Sequence, residues 1–274
     1  MSSGLENWLD DAACRRFLKL IGARKRPPSL PYLAELLRAC FARVPFNNLS
    51  MLTGPRRPPT QDEIIEMMLR GLGGPCDVHN FFLCALLHRL GFNAGLLPAS
   101  MHEPDCHIGI IIDFENRAPQ KYWVDFGNGF PYLTPLPIID GASAAPLGFE
   151  YALEVRGARA TLWQSRSSAR GRVANQTIAL RPVHYSHFDS MRARHYGEVG
   201  FGPFLSGVRL YRWEANRGFV LRDKIIRDIP GRRRVAGFQT RLRWVKQNFD
   251  GGADGGLFAP LYRKCVELIN ATDK

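Results

Sequence analysis

The sequence lacks any Cys-x-x-Cys pair, so the usual spacing of a structural zinc site is missing. It has no apolar run near the ~20 residues that cross a bilayer. Its first residues, MSSGLENWLDDAACRRFLKL, place acids before bases and offer no small-residue cleavage site after an apolar core, which argues against a signal peptide. No internal repeat and no low-complexity tract is visible. Acidic residues are scarce relative to basic ones, 25 against 37, giving a formal net charge of +12. Six cysteines, at 14, 40, 76, 84, 106 and 265, are scattered along 274 residues. Scatter, length and the lack of an export signal favour reduced thiols over a disulfide framework and predict a cytoplasmic protein with no membrane segment.

What is present suits a large core, since 45% of the residues are hydrophobic. Apolar positions recur at helical spacing over 5–21 and 31–43, separated by Pro27-Pro28. Thr60 followed by Glu63 has capping-box spacing and predicts a helix over 61–70. A glycine-rich loop, then a helix over 76–90, complete a helical bundle spanning 1–90. Stretches rich in β-branched and aromatic residues, such as CHIGIIIDF, KYWVDFG and NQTIALRPVHYSHF, predict an antiparallel β-barrel over 91–204. VRLYRW, the turn EANRG, FVLRDKII and a helix over 257–270 predict an α/β lid over 205–274. The fold class is α+β.

The segment GGPCDVHN (73–80) puts Cys76 where a glycine loop meets a helix start. A helix N-terminus supplies partial positive charge and free N–H groups, which favour a thiolate. A nucleophilic sulfur also needs a base, and that base an orienting group. His107 opens the strand-like HIGIIID, and Asp125 closes the strand-like KYWVDF. An antiparallel hairpin through the turn ENRAPQ brings the two together, which selects His107 over His79, His88 or His102. Cys84 lies two helical turns into the apolar run and reads as core. Cys106 adjoins His107 and, on a strand, would face the opposite way. The crowded His102, Glu103, Asp105, Cys106 and His107, with His184, His187 and His195 later, match no metal-ligand spacing, and no metal is expected.

In order along the chain, VPFNNLSML (44–52), GGPCDVHN, CHIGIII, WVDFGNGFPYLTPLPI and GPFLSGVRLYRWEANRGFVLRD (202–223) resemble the PFENL, RGGxCxxxN, histidine-strand, VDxGFG and SPF segments of the arylamine N-acetyltransferases. The resemblance spans roughly residues 30–230. It implies the same order of helical bundle, β-barrel and α/β lid, and a cysteine-protease-like core with Cys76, His107 and Asp125 as catalytic triad. It implies ping-pong transfer of an acyl group from a thioester donor, through a cysteinyl thioester, to a small-molecule amine. It also makes Phe46, Gly127, Asn128, Gly129 and Phe130 substrate or cofactor-binding candidates. The motifs depart at Leu72 (arginine in the family), Pro75 and Asn128 (aromatics), Val78 (Glu or Gln), and in GEVGFG before the GPF segment. All surround the triad and none belongs to it.

Two donors fit the chemistry and the positive charge: acetyl- or acyl-CoA, and an acyl group on an acidic carrier protein, as in amide synthases of natural-product assembly. Either brings a phosphopantetheine thioester as co-substrate, with no permanently bound cofactor. A thioester hydrolase or transglutaminase-like enzyme could use the same triad. The arginine clusters at 24–26, 156–172 and 232–234 suit nucleic acid, but no recognition motif accompanies them, and nucleic acid is not expected as a partner. Oligomeric state is not encoded in any motif found.

Overall fold

In the computed structural model, residues 2–115, 119–166, 171–251 and 256–272 are described. Five helices come first: α1 (Asp11–Ile21), α2 (Leu30–Arg43), α3 (Leu49–Thr53), α4 (Gln61–Leu69) and α5 (Cys76–Arg89). Local chemistry fixes their ends. The Asp10 side chain accepts from the Ala13 N–H, and the Ser29 side chain from that of Tyr32. The capping box at α4 forms as its spacing predicts, with Thr60 and Glu63 satisfying each other's backbone N–H. Residues 5–10, read from the pattern as helix, precede α1. Asp10 is the cap that starts it, because its carboxylate competes for the first free N–H groups.

Helix α5 is apolar nearly all round and almost wholly buried, so it is the axis around which other elements pack. Phe17 of α1 lies against Phe82 at 4.6 Å between ring centroids. Two charged or polar residues interrupt the first turn of α5. Asp77 is paired with Arg192, whose Nε donates at 2.9 Å and whose Nη2 donates to the Pro59 carbonyl at 2.6 Å.

Eight strands form the larger sheet. They are β2 (Asn93–Ser100), β3 (His107–Asp113), β4 (Lys121–Val124), β5 (Leu136–Pro137), β6 (Ser143–Ala144), β7 (Phe149–Arg156), β8 (Arg159–Arg166) and β9 (Val173–Ala179). Their order is β5-β4-β3-β2-β9-β8-β7-β6, all neighbours antiparallel, in a nearly closed barrel-like sheet. The strand-like stretch 175–188 is only partly strand. Pro182 removes a ladder donor, a 3-10 turn (Tyr185–Phe188) follows, and helix α6 (Asp189–Gly197) carries Arg192 back to α5. Of the expected turn ENRAPQ, 116–118 lie outside the described residues, as do 167–170 of the basic stretch 156–172.

The second sheet has five strands, β1-β10-β11-β12-β13, where β1 is Phe46–Asn47 from the helical region. The others are β10 (Arg209–Trp213), β11 (Gly218–Arg222), β12 (Ile225–Ile229) and β13 (Arg233–Val235). Phe46, Tyr211, Val220 and Arg227 are cross-strand partners and share one face. Leu210, Phe219, Leu221 and Ile226 point the other way, into a second core with α7 (Phe238–Phe249) and α8 (Phe258–Thr272). The first face is left to look onto Cys76. Among the described residues no helix is long and apolar enough to cross a membrane.

The Asp77–Arg192 pair is nearly dry, its side chains 3% and 11% exposed. Removing one partner from such a pair strands the other. Arg192→Met is expected to lower the unfolding free energy by about 3–5 kcal/mol in urea titrations, with most of the loss recovered in the Asp77→Leu/Arg192→Met double variant.

Candidate active site

Cys76 is the first residue of α5, and no side chain caps that helix end. Gly73, in the loop before it, has φ of +67°, and a Cβ there would lie 2.2 Å from the Pro45 carbonyl oxygen. Only glycine allows that loop to press on the PFNNL segment. Gly127 meets the Cys76 backbone from the other side, since a Cβ there would sit 2.7 Å from Cys76 Cα.

The hairpin of β3 and β4 delivers the other two side chains. Ile110 pairs with Val124, so Asp125 emerges beside the start of β3. His107 Nε2 and Asp125 Oδ2 are 2.6 Å apart, with Asp125 fully buried and His107 4% exposed. A neutral His107 bonded in this way donates from Nε2 and leaves Nδ1 with a lone pair.

Asn80, one turn into α5, joins the two parts. Its Nδ2 donates to the Ile108 carbonyl at 2.6 Å and to Asp125 Oδ1 at 2.9 Å. Its Oδ1 accepts from the Phe126 and Gly127 N–H groups at 3.0 and 3.1 Å. Asp125 Oδ1 also accepts from the Gly127 N–H at 3.0 Å, so the carboxylate is held on both oxygens. His79 stacks on Phe126 at 4.1 Å and places Nδ1 3.0 Å from the Phe126 carbonyl.

These residues surround a chamber of about 370 Å³. Cys76, His107, Phe46, Gly127, Asn128, Gly129 and Phe130, all singled out from the sequence, line it; Asp125 stands behind His107. The exposed face of the second sheet closes the opposite side through Arg209, Tyr211, Trp213, Val220, Arg222, Arg227 and Ile229. Phe149, Pro203, Phe204, His102 and His195 complete the wall. These sheet residues are the part that sequence reading missed. The signal was the alternation in VRLYRW, where Arg209, Tyr211 and Trp213 share a face.

Cys106 differs from expectation. It lies just before β3, not on it, so strand alternation does not apply, and its side chain lines the same chamber. Its sulfur accepts from the Met101 N–H at 3.4 Å and lies 3.8 Å from His102 Nδ1. Cys84 is core as read, its thiol pushed up to about 12 by burial.

The Asp77 backbone N–H donates to the Cys76 sulfur. Burial pushes its thiol well above the ordinary range, and the carboxylates of Asp77 and Asp125 push it further. Among the described residues no cluster of three or more His, Cys, Asp or Glu is arranged to hold a metal ion.

A family model described as N-acetyltransferase matches residues 29–219, and the chain belongs to that family. It is an N-acetyltransferase at low sequence identity to the members whose structures are solved. The arylamine N-acetyltransferase from Mycobacterium abscessus superposes with a TM-score of 0.81 at 20% identity, covering 98% of this chain and 99% of its own. That from Salmonella typhimurium gives 0.79 at 16% identity, covering 96% and 100%. The Mycobacterium marinum enzyme in complex with CoA gives 0.77 at 18%, covering 86% and 92%. These likenesses establish the fold, whose layers follow the α+β arrangement read from the sequence. No curated protein sequence matches the chain.

Burial holds His79 and His195 neutral down to about pH 4. In the unfolded chain both take up a proton near 6.5. Between these values the unfolded state binds more protons, so stability falls as pH drops from about 6.5 to about 4. Urea midpoints measured across that window are expected to decline with falling pH, and more shallowly in a His79→Gln/His195→Gln variant.

Proposed function

We propose that Cys76 carries an acyl group, taken from acetyl-CoA or a related acyl-CoA, and passes it to an amine with His107 and Asp125 as its proton-handling partners. The observation that carries this reading is the short His107–Asp125 contact facing one chamber with Cys76. Asp125 holds the ring so that Nδ1 presents a lone pair, and stabilises the imidazolium once that nitrogen is charged.

As sulfur attacks the thioester carbonyl, its proton passes to His107 Nδ1. The C–S bond to CoA then breaks, and the departing CoA sulfur takes that proton. An amine next attacks the Cys76 thioester, its proton passes to the same nitrogen, and the C–S bond to Cys76 breaks, returning the thiol. The uncapped N-terminus of α5 favours negative charge on sulfur, and the Asp125 carboxylate favours positive charge on the imidazole. Arg209 and Arg222 on the sheet face suit an anionic donor such as CoA. The Mycobacterium marinum relative is described in complex with CoA, which supports the same donor here.

Intact-protein mass after incubation with acetyl-CoA, and separately with acylated carrier protein, is the test. One acetyl group is expected on Cys76 from acetyl-CoA and none on Cys76→Ala. Cys76→Ser is expected to lose transfer by several orders of magnitude, since imidazole does not readily deprotonate a serine in this setting. Asp125→Asn should lower turnover by about 10³–10⁴-fold through loss of ring orientation. An adduct from carrier protein alone would replace CoA as donor, and no adduct from either would refute the reading. Hydrolysis of the adduct at one rate with or without amine would assign a hydrolase instead.

A further inference from the structure

A buried charge stands immediately beside Cys76. Asp77, the next residue of α5, is 2% exposed. An acid in the first turn favours a helix, but burying it is costly unless its charge is matched. The match comes from 115 positions later, where Arg192 Nε donates to Asp77 Oδ2 at 2.9 Å. Tyr196, one turn further along α6, donates its hydroxyl to Asp77 Oδ1 at 3.4 Å. The guanidinium is held by other groups as well. Its Nη2 donates to the Pro59 carbonyl at 2.6 Å, it lies 5.3 Å from the Phe81 ring centre, and its Nη1 is 3.9 Å from Asp189.

The pair is not symmetric about the sulfur. Its negative end belongs to the residue bonded to Cys76, while its positive end reaches over from α6. In so dry a setting the nearer charge has the larger effect. Burial pushes the Cys76 thiol up, Asp77 pushes it further, and Asp125 adds less from behind His107. The other titratable and charged groups around Cys76 come from every neighbouring element: Cys106 and His107 from the start of the β3–β4 hairpin, His195 and Tyr196 from α6, and Arg209, Arg222 and Arg227 from the second sheet. Exchanging Asp77 or Arg192 leaves all of them present. The same helix α6 sets His195 between Phe201 at 4.8 Å and Phe204 at 5.1 Å on the chamber wall.

We propose that Asp77 and Arg192 are a positioning pair for Cys76, in which the carboxylate opposes negative charge on sulfur and the guanidinium limits that opposition. Without Arg192 the uncompensated acid opposes a thiolate more strongly. Without Asp77 the stranded guanidinium favours one. The two residues hold one joint together yet act on sulfur with opposite signs. A mechanical strut has no such sign, since loosening it from either end opens the same contact between α5 and α6. A thiol held up in this way is also the better nucleophile once its proton has gone to His107. The proposal rests on Cys76 as the reacting thiol, but its readout needs no acyl donor.

The experiment is the pH dependence of Cys76 alkylation by iodoacetamide, read on the Cys76 peptide by mass spectrometry. Asp77→Asn is expected to move the midpoint down by about one pH unit, and Arg192→Gln to move it up by about as much. Each shift corresponds to about a tenfold change in alkylation rate at a pH below both midpoints, faster in Asp77→Asn and slower in Arg192→Gln. Arg192→Lys keeps the charge but not the fork that grips Asp77 and Pro59. Its midpoint should lie closer to wild type than to Arg192→Gln, while urea titrations show both Arg192 variants destabilised. Tyr196→Phe removes one hydrogen bond from the carboxylate and should raise the midpoint, which keeps the test open if Arg192→Gln does not fold. Midpoints that move the same way in Asp77→Asn and in Arg192→Gln or Tyr196→Phe, or that do not move, overturn the proposal and leave the pair a strut. Intact mass after acetyl-CoA is measured on the same wild-type sample. Opposite shifts without an acetyl adduct would refute acyl transfer and keep this pair; an adduct with shifts of one sign would do the reverse.

Discussion

The side-chain amide of Asn80 is the joint on which the site hangs. It belongs to the central helix, yet all its partners lie on the β-hairpin: two acceptors for its nitrogen and two backbone donors for its oxygen. Because it sits one turn beyond Cys76, it fixes α5 against the strand ends that bear His107 and Asp125. An amide is suited to this, since it both donates and accepts without charge in a fully buried position. A carboxylate there would confront Asp125, and an apolar residue would take away the partner of the Ile108 carbonyl and of the Phe126 N–H.

Burial shapes the chemistry as much as contact does. The same desolvation that pushes the His79 and His195 imidazoles down pushes the Cys76 thiol up. An ionised sulfur in so dry a place would need its counter-charge beside it at all times.

Much of this was legible from residue order. The glycine loop before Cys76, the hairpin spacing of His107 and Asp125 and the Thr60–Glu63 cap are short-range patterns, and short-range physics governs them. What escaped reading was set by distant partners. Phe46–Asn47 is too short to signal a strand, and becomes one only because β10 arrives to pair with it. Cys106 was given a strand's alternation when it lies one residue before the strand. His195 stood out in the sequence only as one of several histidines. Its place between two phenylalanines depends on α6 folding back, which Asp77 and Arg192 arrange across 115 positions of chain. Uncharged Asn47 and Leu72 occupy motif positions held by Glu and Arg in the PFENL and RGGxC patterns. They still meet, Asn47 Nδ2 donating to the Leu72 carbonyl at 2.7 Å, so a backbone contact bridges the two segments with no charge involved.

The two-residue strand β1 has a consequence for how the molecule is born. Asn48, just after it, donates to the Gly207 carbonyl 159 positions later, and Cys265 on the last helix reaches back to the Leu49 carbonyl. During synthesis on the ribosome, the segment 44–52 emerges long before anything it must pair with. The chamber beside Cys76 therefore acquires its far wall only after β10 to β12 have been made, so an interrupted translation product that ends before them carries Cys76, His107 and Asp125 in an unroofed cleft.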